Sequence, residues 1–164
     1  MSGVVEVLLI SNLKSLAVHG AGSICVEASA VVPEGRISPE DNGIWSDQHI
    51  PQLKRVVDFV HAQGSVIGIQ LAHAGRKSST RAPWAQVDLG GINKMSESIV
   101  ATIEEGGWPD KVFAPSGIPH DDAHARPKAL TEQQIANIEQ AFVQAARRAK
   151  QAGCKWLPSS RPGT

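Results

Sequence analysis

The chain has 164 residues, which is enough for one domain with a sizeable core but fewer than the roughly 250 of a closed eight-stranded β/α barrel. Its 41% apolar residues exclude a disordered chain, and its 16 basic and 16 acidic residues balance, so composition indicates no attraction to nucleic acid or anionic membranes. Two cysteines, Cys25 and Cys154, lie far apart in sequence and are too few for a disulfide framework. We therefore expect a soluble cytoplasmic protein.

The first half of the chain alternates predicted helices and strands. Apolar spacing predicts a short helix over Asn12–His19, and an apolar, β-rich run predicts a buried strand over Ile24–Val32. A second helix is predicted over Gln48–Gln63, with Gly64 as its C-terminal cap. The Gly20–Gly22 break has two interpretations. We favour a helix terminator over a dinucleotide-binding turn, because that turn follows a strand and opens a helix.

The second half contains a strand, a long irregular stretch and a helix. The apolar run over Val66–Leu71 predicts another buried strand. Residues 82–129 lack periodic apolar positions, so we expect few buried contacts and a mobile segment, with local anchors at Trp84 and Trp108. A capping box predicts that the last helix starts at Thr131, and it is predicted to end at Gly153.

This order of elements predicts an α/β fold with parallel strands. Both strands are continuous apolar runs, which is typical of strands covered on both faces. We expect Val26, Ile67 and Ile69 to face a barrel interior. The chain by itself is then expected to be marginally stable, because unpaired strand edges beside apolar surface favour aggregation.

Two histidines four residues apart flank a pair of aspartates in His120–His124. On a helix, this spacing places both imidazoles on one face, where they can bind zinc. Pro119 and Pro127 oppose a regular helix there. We therefore favour a solvated polar loop and predict no metal site.

A stronger chemical signal lies at the end of the second strand. Gln70 stands near the end of an apolar run, and His73 and Arg76 follow it. In parallel α/β folds the C-terminal ends of the strands line the active site, and a carboxamide can hydrogen-bond the edge of a heteroaromatic ring. Spacing alone favours a second interpretation, in which Gln70 merely ends the strand and His73 and Arg76 brace the loop.

Several motifs occur in a fixed order along the chain: Val26–Val31, Pro33–Ser38, Gly43–Asp47, Gly68–Lys77, Ala114–Ser116, Ala145–Ala149 and Ala152–Gly153. Together they resemble the Old Yellow Enzyme family of NADH:flavin oxidoreductases, in its branch of NADPH dehydrogenases and xenobiotic reductases. The resemblance covers residues 16–153. Residues 1–15 and 154–164 do not match it.

The resemblance implies a partial (β/α)8 TIM barrel, with about strands two and three, their helices and the helix leading to strand four. It implies FMN as cofactor, NAD(P)H as reductant and an enone-type small molecule with an activated C=C bond as substrate. Ala28 would contact FMN through its backbone, and Gln70 would hydrogen-bond the flavin ring. No catalytic residue is carried over, and His73 and Arg76 look like loop supports.

We therefore expect a truncated homologue of an FMN-dependent ene-reductase that is inactive alone, since the family's other strands and phosphate-binding loops are not matched. Two alternatives stay open. One is a half-barrel that is active only with a complementing chain or as a homo-oligomer, and it predicts a yellow complex. The other is a non-enzymatic interaction domain, and it predicts a stable flavin-free monomer with a specific protein ligand.

Overall fold

The computed structural model describes residues 3–83 and 99–156, with side chains from residue 11 onward. Its elements are α1 (Gly3–Val18), β1 (Ser23–Ala30), α2 (Ile50–Ala62), β2 (Val66–Ala72), β3 (Phe113–Ala114), β4 (Lys128–Ala129) and α3 (Glu132–Ala152). The predicted helices and strands are present in the predicted order, although α1 begins at Gly3 rather than Asn12. The two-residue strands β3 and β4 were not predicted, because so short a pair carries no periodicity. Among the described helices, none combines the length and apolar character needed to cross a membrane.

The three described α-helices end on glycines with positive φ, namely Gly20 (84°), Gly64 (80°) and Gly153 (101°). At the end of α1, the Ala21 amide donates to the Leu16 carbonyl and the Gly20 amide donates to the Ala17 carbonyl, both at 3.1 Å. This pair of bonds is the Schellman motif, which requires a left-handed residue and so favours glycine. The interpretation of Gly20 as a helix terminator is confirmed.

The central sheet pairs β1 and β2 in parallel. Val26 lies opposite Ile69 and Ser29 lies opposite Leu71, so β1 has one residue more than β2 over this interval. An extra residue of this kind forms a β-bulge, which bends the strand and re-aims its side chains. The bulge in β1 therefore falls beside Gln70.

The helices cover one face of this sheet. A single buried cluster joins Leu13 of α1, Val57 and Val60 of α2, and Ala145 and Ala149 of α3 to Ile24, Val26, Ile67 and Ile69 of the sheet. The prediction that Val26, Ile67 and Ile69 face a barrel interior is therefore wrong. Successive strand side chains point to opposite faces, and the exposed residues Cys25 and Glu27 alternate with the buried ones. In a continuous apolar run, the sequence does not indicate which alternate set faces the helices.

The sheet continues briefly along the edge of β2 that faces away from β1. There the Lys155 amide donates to the Ile67 carbonyl at 2.9 Å, and the Ile69 amide donates to the Trp156 carbonyl at 3.3 Å. Trp156 packs directly on Gly68, where a Cβ atom would lie 2.6 Å from the Trp156 carbonyl oxygen and in contact with the indole ring. The rest of the predicted tail, residues 157–164, lies outside the described residues.

The stretch expected to have few buried contacts is anchored where the structure describes it. Trp108 donates its indole N–H to the Glu34 carbonyl at 3.1 Å and its backbone N–H to the Ser79 hydroxyl at 2.7 Å. Val112 and Ala114 are buried. The expected anchor at Trp108 is confirmed, and the mobility of residues 99–129 stays a prediction. Trp84 and the rest of residues 84–98 lie outside the described residues.

Candidate functional site

The C-terminal ends of β1 and β2 open into a cavity of about 340 Å³. Ala28 and Ala30 of β1 and Gln70 and Ala72 of β2 supply part of its lining. The loops after the strands and the turn before β4 supply the remainder, which is Gly35, Arg36, Ile37, Asp41, Asn42, His73, Ala74, Lys77, Thr80 and His124. The structure thus brings the two predicted cofactor-contacting residues, Ala28 and Gln70, into one cavity.

Gln70 offers this cavity an uncommitted carboxamide. The side chain is half-buried, and within the described residues its amide group makes no hydrogen bond. A carboxamide has two N–H donors and a carbonyl acceptor. Ala28 lies across the bulge from Gln70, and a bulge leaves its extra residue outside the regular ladder. The site can therefore present side-chain and backbone polar groups to one planar ligand.

His73 joins two of the loops around the cavity. The residue is 7% exposed, and its Nδ1 accepts a hydrogen bond from the Gly75 amide at 3.0 Å. Gly35 packs against the same ring, where a Cβ atom would lie 2.9 Å from the His73 Cδ2 atom. The Ala74 amide donates to the Gly35 carbonyl at 2.8 Å. These contacts give His73 the loop-supporting role that was expected of it.

The buried state of His73 predicts a dependence of stability on pH. Burial lowers the pKa of His73, and the charge of Glu34 opposes this only in part. The unfolded chain therefore takes up the proton first, so the stabilising contribution is complete above the unfolded pKa of about 6.5 and is lost as the pH falls below it. Because of this residue, we expect the free energy of unfolding to fall by up to about 1.4 kcal/mol for each pH unit.

Urea unfolding at pH 7.5, 6.5 and 5.5 measures this effect when the chain is compared with His73→Gln, which has no titrating group at this position. The comparison is needed because burial also lowers the pKa of His49, which contributes equally in both proteins. The variant should lose less stability toward pH 5.5. Identical losses in the two proteins would contradict the assignment.

Arg76 connects two of the motifs that carry the family resemblance. Its Nη2 donates to the Ser116 hydroxyl at 3.4 Å, which links the Gly68–Lys77 motif to the Ala114–Ser116 motif. The Arg76 Nε atom is buried and has no hydrogen-bond partner in the described structure. The guanidinium thus lies between two loops as a brace, in agreement with the interpretation from sequence.

Arg36 organises the loop after β1, a role that sequence reasoning missed. Its guanidinium lies 4.5 Å from the ring centroid of Trp108 and 5.3 Å from that of Trp45. The same group donates to the carbonyls of Pro33 at 2.9 Å and Pro39 at 2.6 Å. In the sequence, Arg36 stands out only as part of the Pro33–Ser38 motif, and nothing in its spacing indicates the distant Trp108.

The two cysteines are free and poorly suited to nucleophilic chemistry. Burial raises the pKa of the Cys25 thiol. Burial, together with the nearby Cys25, raises the pKa of Cys154 to about 11. Because the thiolate is the reactive form, both side chains are mostly inert at neutral pH.

Known sequences that resemble this chain do so over most of its length. The sequence profile of the NADH:flavin oxidoreductase / NADH oxidase family matches residues 2–156. The chain is 42% identical over 145 residues to an NADH:flavin oxidoreductase of Gibberella zeae, a match covering 88% of this chain and 33% of that protein. It is 43% identical over 139 residues to an NADPH dehydrogenase of Bacillus velezensis, covering 85% of this chain and 33% of that protein. The chain thus spans about a third of the length of these curated relatives.

Solved structures agree on the fold. Morphinone reductase in complex with tetrahydroNAD is 27% identical, with a TM-score of 0.68 over 92% of this chain and 39% of that chain. TcOYE with pHBA, at 24% identity, has a TM-score of 0.69 over 94% of this chain and 41% of that chain. The predicted fold class, an α/β portion of a TIM barrel, is confirmed.

Proposed function

We propose, since this chain belongs to the NADH:flavin oxidoreductase / NADH oxidase family, that it forms the part of an FMN site that contacts the flavin ring. The ring would lie in the cavity at the ends of β1 and β2, against the backbone of Ala28 and the carboxamide of Gln70. The observation that carries this proposal is the Gln70 carboxamide, which lines the cavity and is uncommitted among the described residues. When bound, FMN supplies hydride transfer from NAD(P)H to the activated C=C bond of an enone-type small molecule.

The lining suits a flavin ring better than a phosphate group. Ala28, Ala30 and Ala72 give small apolar surfaces, and binding sites are commonly apolar with a few placed polar groups. Arg36 is a poor phosphate ligand here, because its guanidinium is already held by two aromatic rings and two carbonyls. Besides Arg36, the described lining contains one further lysine or arginine, Lys77, and it is exposed to solvent.

We propose further that the 164 residues by themselves bind FMN weakly and do not catalyse reduction of an enone. In β/α barrels the phosphate site is frequently built by loops after strands seven and eight. The present chain matches the region around strands two and three. Ring contacts alone leave the phosphate, the most strongly charged part of the cofactor, to solvent.

The site proposal is tested by substituting Gln70. We expect Gln70→Ala to weaken riboflavin binding by about fivefold to tenfold, because a hydrogen bond to the ring contributes roughly 1–1.5 kcal/mol. Flavin fluorescence titration measures the affinity. Gln144→Ala, which removes an exposed glutamine on α3, is the matched control and should leave binding unchanged. Equal affinities for the chain and Gln70→Ala would place the flavin elsewhere.

The edge of β1 favours one second candidate, a half-barrel that works with a complementing chain or with further copies of itself. In the described residues, β1 pairs with β2 on one side and makes only the Ala30–Gly43 bridge on the other. An open strand edge is a template for pairing with another chain. Co-purification of a yellow complex with a partner chain would support this candidate, and a colourless lone chain would count against it.

We propose that this activity is cytoplasmic. Cys25 and Cys154 are both free, which is the usual state of thiols in a reducing compartment. The zero formal charge supports a small-molecule substrate rather than nucleic acid or a charged membrane surface.

A further inference from the structure

The turn between β3 and β4 gathers three metal-ligating side chains that are separate from the proposed flavin contacts. One ligand atom each from His120, Asp121 and His124 can be chosen so that all lie within 4.8 Å of one another. The Nδ1 atom of His124 lies 2.6 Å from Asp121 Oδ1. The two imidazole rings meet edge to face, with centroids 4.8 Å apart. The segment is not helical, as its prolines predicted, yet its ligands still converge.

The fold fixes both ends of this turn. The Lys128 amide donates to the Val112 carbonyl at 2.8 Å, and the Leu130 amide donates to the Ala114 carbonyl at 2.9 Å. Inside the turn, Asp121 Oδ1 accepts the backbone amide of Ala123 at 2.9 Å. The three ligands are therefore held close together before any ion arrives, which lowers the conformational entropy cost of binding.

We propose that His120, Asp121 and His124 bind a divalent transition-metal ion such as zinc. Two imidazole nitrogens and one carboxylate oxygen are ligands that zinc takes, at bond lengths of about 2.0–2.2 Å, with solvent free to fill the fourth position. Ligands of a tetrahedral ion lie about 3.3–3.6 Å apart. The observed cluster is slightly wider, and the exposed side chain of His120 can rotate to close it.

The electrostatics of the turn favour a cation. The Asp121 side chain supplies a carboxylate, whose Oδ1 atom lies 2.6 Å from His124 Nδ1. A carboxylate in this position can ligate the ion and also orient the His124 ring, as carboxylates do beside many zinc-bound histidines.

A bound ion would act on the cavity through His124. The His124 side chain is 11% exposed, and the residue belongs to the cavity lining together with Gln70. An ion held between His120 and His124 would therefore fix one wall of the cavity. The zinc site requires no bound flavin, so its test is independent of the proposed cofactor.

Calorimetric titration of the untagged chain with zinc chloride at pH 7.5 tests this site. We expect one site with a dissociation constant of about 1–10 μM. His120→Ala and Asp121→Asn should each weaken binding by at least about tenfold. Both residues are exposed, so neither change should disturb folding, which circular dichroism checks.

Two matched controls isolate the cluster. Asp122→Asn removes the same charge from the next residue, and His19→Ala removes an exposed imidazole just after the end of α1. Both should bind zinc within about twofold of the parent chain. The proposal is overturned if no binding occurs up to about 100 μM zinc. It is equally overturned if His120→Ala and Asp121→Asn bind as the parent does, since the ion would then lie elsewhere, for example on the cysteine thiols.

Discussion

Replacing Gly68 by alanine is expected to lower the free energy of unfolding by about 1–3 kcal/mol. A Cβ atom at this position would lie 2.6 Å from the Trp156 carbonyl oxygen and in contact with the indole. Backbone cannot yield as a flexible side chain does, so the segment paired along β2 would have to move. That movement would disturb the hydrogen bonds that join Lys155 and Trp156 to β2.

The matched control is Gly22→Ala, because a Cβ atom at Gly22 meets nothing within 4 Å. Alanine restricts the unfolded chain more than glycine does, so this control should be neutral or slightly stabilising. Urea unfolding followed by circular dichroism measures both changes. Trp156→Ala in the Gly68→Ala background should restore part of the loss. If Gly68→Ala unfolds at the same urea concentration as Gly22→Ala, Trp156 does not pack on β2.

The isolated chain is expected to bind FMN at least about a thousandfold more weakly than a full-length relative and to show no enone-dependent turnover. A charge-assisted hydrogen bond contributes roughly 1.5–3 kcal/mol. The absence of about three such bonds to the phosphate costs some 5–9 kcal/mol, and each 1.4 kcal/mol is a factor of ten in affinity. The proposed ring contacts at Ala28 and Gln70 cannot replace them.

Gel filtration with excess FMN measures retention of the cofactor, and NADPH consumption with cyclohexenone measures turnover. A full-length NADPH dehydrogenase of the kind found in Bacillus velezensis is the reference protein. We expect flavin to elute apart from the chain and the NADPH rate to match the enzyme-free background. Stoichiometric retention with turnover near the reference rate would contradict the proposal.

Local rules predicted the ends of the elements well. Gly64 and Gly153 were predicted as caps, and both adopt the left-handed conformation. Thr131 and Gln134 form the predicted capping box, with the Thr131 amide donating to Gln134 Oε1 at 2.9 Å. Capping depends on residues only a few positions apart, so its chemistry is visible in a short window of sequence.

Contacts between distant residues were not predictable in the same way. Trp108 and Glu34 are joined by a hydrogen bond across 74 positions, and no local pattern indicates it. The predicted orientation of Val26 was wrong because an apolar run without alternation does not indicate which face is buried. His120 and His124 converge through a turn rather than a helix, so helical spacing does not describe their arrangement.

The candidate site was predicted only in part. Ala28 follows from the motif resemblance, Gln70 follows from its place at a strand end together with that resemblance, and both line the same cavity. The bulge that sets their relative position was not predicted, since a bulge depends on the register between two strands. His124 was considered only as a metal ligand, and its place in the cavity lining depends on the fold.

Comparing FMN with riboflavin on the isolated chain tests the ring-contacting site at Ala28 and Gln70 most directly. If the chain contacts the ring and not the phosphate, the two flavins should bind with dissociation constants within about threefold of each other, and Gln70→Ala should weaken both alike. Fluorescence titration under identical salt conditions gives both constants. Binding of FMN about a hundredfold tighter than riboflavin, or no binding of either flavin at millimolar concentration, would contradict a ring-contacting site at Ala28 and Gln70.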